Sequence, residues 1–188
     1  MRGVIFVSRK KDNPSFAFKS RKKAFLSDKS IEDLMQMFEQ FVSEGNSGEL
    51  SRFYLSVNER NNSKLIKSLE HYLLDHPDFA LDNIMSKVMS LAMCSENAKT
   101  HKWLFEYNRT EHILDFREDL LKAGFTRGEL TIYKTANNYS IVVDHGFDCR
   151  KLLEKYPDCK LKRDAWLCVA LGNSGPNVEP IDVMIFRN

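Results

Sequence analysis

An α+β fold is predicted by three features of this 188-residue sequence. Apolar and β-branched strand-like runs and amphipathic helical runs both occur along its length. The stretch 102–171 reads strand, helix, strand, strand, helix, strand. Its 43% hydrophobic and 29% charged residues are those of an ordinary globular chain, long enough for one well-cored domain.

The elements follow in order. Gly3–Ser8, "GVIFVS", is apolar and β-branched and predicts a strand; "SFAFK" predicts a second, with "DNP" as the turn between them. From Ser30 to Glu44 the apolar residues Ile31, Leu34, Met35, Phe38, Phe41 and Val42 fall at helical spacing. Asp28 or Ser30 supplies the cap, Glu32 and Asp33 suit the first turn, and Gly45 ends the helix. Arg52–Val57 alternates as a strand. Helices follow over Ser63–Asp75, broken by His76-Pro77, and over Phe79–Cys94, with Leu81, Ile84, Met85, Val88, Leu91 and Ala92 on its apolar face. Met85, Met89 and Met93 fall four apart, a pattern read first as pliable core packing.

In the C-terminal half, Lys102–Tyr107 predicts a strand and Glu111–Ala123 a helix ended by Gly124. Leu130–Lys134 and Tyr139–Val143 predict a hairpin whose turn contains Asn137-Asn138, residues that tolerate left-handed backbone. Cys149–Lys155 is a short helix stopped by Pro157, Ala165–Leu171 a strand, and Asp182–Phe186 a final one. The order over 102–171 is that of the split βαβ unit of ferredoxin-like and RNA-recognition folds, with an antiparallel or mixed sheet whose helix-free face is left open to bind something. The expected layout is one domain: N-terminal strands, a helix and a basic arm over 1–50, and the core over 51–188.

Composition narrows the function. No apolar run approaches the roughly 20 residues of a membrane span, and "VIFV" is too short for a secretion signal, so a cytoplasmic protein without a membrane is expected. Cys94, Cys149, Cys159 and Cys168 form no C-x-x-C pair, which favours reduced core thiols over zinc. The net charge of +2 announces no nucleic-acid binder, but Arg9, Lys10, Lys11, Lys19, Arg21, Lys22 and Lys23 crowd one stretch. Such a cluster suits phosphate neutralisation, and equally a solvated loop. Phe16, Phe18 and Phe25 among the charges suit base stacking or a short half-buried strand. Phosphate loops, G-x-G-x-x-G, H-E-x-x-H and the nucleophile elbow are all missing, and none of the five histidines is paired as phosphoesterase motifs require.

One constellation remains. "KWLFEYN" ends a strand, a helix follows, and "KTANNYSIVVDHGFD" forms the hairpin; upstream lies "RFYLSVNERNNSKLIKSL". Together these stretches resemble the archaeo-eukaryotic primase superfamily, especially its small phage-encoded members, over most of residues 51–171. The resemblance implies two strand-end aspartates that hold divalent metals and a hairpin histidine that contacts nucleotide phosphates. Carboxylates one residue apart on a strand share a face, as two cations on a triphosphate require.

This chain departs from that pattern. Glu106 stands for the first aspartate, Asn108 for the second, Ser140 for the histidine and Asn138 for the glycine, while Lys134, Thr135, Asn137 and Tyr139 fit. Glu106 and Asn108 would hold one magnesium weakly, since Mg²⁺ favours charged oxygen ligands. Asp144 and Asp164, at strand ends, are candidate third ligands or simple turn residues.

The function expected is therefore a non-catalytic binding protein on a degenerate primase-like fold. It would bind nucleic acid, nucleotide or a host protein, with inhibition of a host enzyme or defence system as one role and the host-cell cytoplasm as its place. Arg21, Lys22, Lys23, Arg60, Lys134 and Ser140 are the candidate contacts to nucleotide or nucleic acid. No cofactor is required. Two alternatives stand beside it: a nucleotidyltransferase using Mg²⁺ or Mn²⁺ at Glu106, Asn108 and Asp144, and an accessory subunit that binds only protein.

Overall fold

The computed structural model describes residues 1–15, 19–107, 112–134, 139–173, 181–182 and 185–186, with the backbone alone for Lys134 and for the last four. Among the described residues it is an α+β fold of two antiparallel sheets and five α-helices. In chain order the elements are β1 (Arg2–Ser8), β2 (Arg21–Ser27), α1 (Ile31–Ser43), β3 (Leu50–Ser56), α2 (Asn62–Asp75), α3 (Ile84–Ala92), β4 (Trp103–Tyr107) and α4 (Ile113–Lys122). Then come β5 (Leu130–Lys134), β6 (Tyr139–Val143), α5 (Arg150–Lys155), β7 (Cys159–Lys162), β8 (Trp166–Asn173), and the two-residue strands β9 (Ile181–Asp182) and β10 (Ile185–Phe186).

The first sheet runs β2-β1-β3-β8-β9. Its strand residues Val4, Phe6, Phe53, Leu55 and Ala170 pack against Leu34, Phe38 and Phe41 of α1. The helix forms where its sequence says it should. The Ser30 side chain accepts a hydrogen bond from the Asp33 N–H, and the three buried residues recur at i, i+4 and i+7. The strand predicted over 15–19 falls mostly on residues outside the described set; Arg21–Ser27 is the strand that pairs with β1, from Arg2↔Ser27 to Ser8↔Arg21. The cluster Arg21, Lys22 and Lys23 is thus edge strand, not a loop or arm. Lysines on an edge oppose pairing with another chain.

The second sheet runs β10-β5-β6-β4-β7, with β6 between β4 and β5, so the β4–α4–β5 unit is split. Phe105, Tyr107, Ile141 and Val143 on one face meet Ile113, Phe116 and Leu120 of α4 and Leu152 and Tyr156 at α5. Gly124, at φ +105°, ends the run after α4 in a left-handed conformation that suits glycine.

Two expectations are corrected here. The strand that closes the split unit is Cys159–Lys162, paired with β4, whereas Trp166–Asn173 pairs with β3 in the first sheet from Leu50↔Asn173 to Ser56↔Trp166. "CKLK" escapes a periodicity reading because two exposed lysines alternate with only two apolar residues. The helix-free face of the second sheet is also not fully open. Its Leu104 and Val142 are buried against Val57, Ala165 and Leu167, which come from the end of the β3–β8 ladder. The first sheet draws strands from both sides of residue 50.

The helix expected over 79–94 is shorter, a 3₁₀ turn at Leu81–Asn83 leading into α3. Of its apolar residues Met89 and Ala92 are buried, while Leu81 and Met85 are exposed. All four cysteines are free thiols, and burial pushes the Cys159 thiol up to about 12. Among the described residues no helix is long and apolar enough to cross a membrane.

Candidate functional site

β4 carries Glu106 on the face opposite the helices, directly across from Ser140 of β6 and Lys160 of β7. Lys162 Nζ donates to Glu106 Oε1 at 2.7 Å, so the carboxylate already holds a cation. Ser140 is buried beside it. Asn108, the Lys134 side chain and the hairpin turn 135–138 lie outside the described residues.

The register separates the remaining acids from Glu106. Val143 pairs with Trp103 at the far end of β4, and Asp144 lies beyond it, bonded by Lys102 Nζ at 2.6 Å. Asp144 lies four positions after Ser140, about 13 Å along a strand at roughly 3.3 Å per residue. Two oxygens on one Mg²⁺ lie at most about 4 Å apart, since each bond is about 2.1 Å. Asp144 therefore cannot share an ion with Glu106 in this arrangement. Asp164 sits at the Lys102 end too, because Asn58 Nδ2 donates both to Lys102 O at 3.1 Å and to Asp164 Oδ1 at 3.3 Å. Among the described residues no three His, Cys, Asp or Glu side chains stand together as a metal site.

Two of the candidate cations are structural. Arg60 is fully buried and donates through both terminal nitrogens to Asp164, at 2.7 and 2.6 Å, while its Nε has no partner. It joins the segment after β3 to the segment before β8 and is not available to a phosphate. Arg21 donates to buried Glu49 at 3.0 and 2.8 Å and lies over the Phe41 ring. Lys22 and Lys23 remain exposed; Lys22 pairs with Val7 and Lys23 with Phe6, so they point to opposite faces of the first sheet.

The surface that sequence reading missed is the outer face of that sheet, away from α1. Val7 is flanked by Lys22 and Arg52, and Ile5 by Ala24 and Tyr54. Arg9 Nη2 donates to the Tyr54 hydroxyl at 3.5 Å, and Arg9 and Arg52 both donate to Asp12. Trp166 lies over Gly3, where an added Cβ would stand 2.7 Å from the indole. Along one side Met85, Met89 and Met93 of the α3 segment close a groove of about 480 Å³ with Ile5, Lys22 and Trp166. The methionine ladder thus lines a surface as well as contributing to the core. The signal was present in the alternation of Arg52 and Tyr54 and in that ladder, but only the pairing of β3 with β1 and β8 puts them together.

Burial alone would raise the Asp12 carboxyl, but hydrogen bonds and charge from Arg9 and Arg52 outweigh it and hold Asp12 below its ordinary range. Glu49 is likewise raised by burial and lowered further by the Asn46 N–H, Ser8 and Arg21. Both groups have depressed folded-state pKa values. Their stabilisation is complete above the ordinary carboxylate pKa of about 4 and is lost as pH falls through the lower folded value. Thermal unfolding should shift to lower temperature between pH 5 and pH 3, and Asp12→Asn should flatten that dependence; an unchanged slope would contradict the assignment.

No family model, curated protein or solved structure matches the chain.

Proposed function

We propose that this chain is a non-catalytic binding protein on a primase-like scaffold, and that its target is single-stranded nucleic acid held on the outer face of the first sheet. The observation that carries this is the company of Tyr54 and Trp166, both half-buried, with exposed Lys22 and the Arg9–Asp12–Arg52 group, which keeps one net positive charge, on one sheet face. Aromatic platforms stack bases while neighbouring cations track the phosphates. The separation of Asp144 and Asp164 from Glu106 weighs against a metal-dependent nucleotidyltransferase. A second reading, an accessory protein or host-enzyme inhibitor, is favoured by the exposed Ile66, Leu74, Leu81 and Met85 of the α2–α3 region.

Fluorescence anisotropy with labelled single-stranded DNA, single-stranded RNA and duplex separates these readings. Single strands should bind, with log affinity falling linearly with log salt by ~0.7 per phosphate contacted. Lys22→Gln should remove about one such contact, and Tyr54→Ala should weaken binding roughly 5- to 150-fold, the equivalent of about 1–3 kcal/mol of stacking. Failure of every single strand to bind at low salt, or affinity and slope unmoved in both variants, would overturn the proposal.

A further inference from the structure

A second surface lies on the other sheet, beside α4. A cavity of about 270 Å³ has Leu130 and Ile132 of β5 and Tyr139 of β6 as its floor. Ile113 and Leu114 of α4 form its apolar wall, and Leu114 is 67% exposed. Arg117 and Arg127 complete the lining among the described residues.

Among the described residues these two arginines differ from five others in the chain. Arg9, Arg21, Arg52, Arg60 and Arg150 each hold a carboxylate. Among the described residues Arg117 and Arg127 make no hydrogen bond or ion pair, and two acids near them in sequence are engaged elsewhere: Glu129 accepts from the Thr126 N–H, and Asp115 pairs with His112. A guanidinium keeps its charge at any physiological pH and presents a planar fork that matches a carboxylate. Two such forks at an apolar cavity are complementary to an anion carried on an apolar body. The volume takes on the order of nine groups the size of a water molecule or methylene, at about 30 Å³ each.

We propose that this cavity binds a medium-chain monocarboxylate, its chain over Leu130, Ile132 and Tyr139 and its carboxylate on Arg117 and Arg127. The site is independent of the nucleic-acid surface, which lies on the first sheet.

Calorimetric titration of the full chain at pH 7 with octanoate, octan-1-ol and octylammonium tests charge and body separately. Octanoate should bind saturably at one site, with octanol at least tenfold weaker and octylammonium weaker still. Arg117 and Arg127 have no partners to lose among the described residues, so the double variant Arg117→Gln, Arg127→Gln should keep its melting temperature and bind octanoate no better than octanol. Nuclear Overhauser contacts should run from the octanoate chain to the Leu130 and Ile132 methyls. Equal binding of the three probes, no saturable octanoate binding, a double variant that keeps the preference for octanoate, or contacts elsewhere on the chain would each overturn the proposal.

Discussion

Replacing Arg60 with alanine should lower the free energy of unfolding by about 3 kcal/mol and at most about 5, because a fully buried guanidinium is removed and Asp164, whose side chain is only 16% exposed, is left without its cation. For a chain of this size that is a fall in melting temperature of roughly 6–20 °C. The loss belongs to the broken pair and not to the loss of one residue. Asp164→Leu combined with Arg60→Leu removes both charges, and apolar replacement of a buried pair is often neutral. The double variant should therefore recover most of the stability, less a contribution from Asn58, whose amide also donates to Asp164. An Arg60→Ala protein that melts within about 2 °C of the parent would show that Arg60 does not hold the junction between β3 and β8.

Phe6→Ala should cost about 3–5 kcal/mol, the usual range for deleting a buried phenylalanine ring. Phe6 is fully buried, and its ring meets Phe25, Phe38, Phe41 and Phe53 at centroid distances of 5.5, 5.4, 5.9 and 5.0 Å. Contacts from β1 to β2, β3 and α1 are lost together, so little side-chain movement could refill the space. Urea unfolding of Phe6→Ala beside Leu74→Ala provides the contrast. Leu74 is 79% exposed, and its variant should stay within about 0.5 kcal/mol of the parent. Equal effects at the two positions would mean that the first sheet is not packed on α1 as described.

Local signals were strong where an element carries its own cap and period. α1 was legible from Ser30 and the spacing of Leu34, Phe38 and Phe41, and the β5–β6 hairpin strands have the bounds their apolar runs predicted. What could not be read is pairing across distance. β2 looked like a charged loop because "RKKAFLS" begins with three cations, and only its ladder with β1 makes it a strand. β7 carries too little apolar surface to stand out, and β8 was assigned to the wrong sheet because nothing local distinguishes β3 from β4 as its neighbour. From sequence Arg60 is a candidate contact to nucleotide or nucleic acid; its partner is 104 residues away, so its burial is invisible locally. At the site, the identity of Glu106 was readable, but its engagement with Lys162 depends on a strand that had not been recognised.

The central proposal, binding without catalysis, meets its most direct test in a nucleotide-incorporation assay on the full chain with primed and unprimed single-stranded templates. With Mg²⁺ and with Mn²⁺ the expected result is no labelled product above that of a metal-free control. Metal-dependent incorporation that Glu106→Ala abolishes would contradict it, and would mean that the Glu106 carboxylate leaves Lys162 to hold a metal.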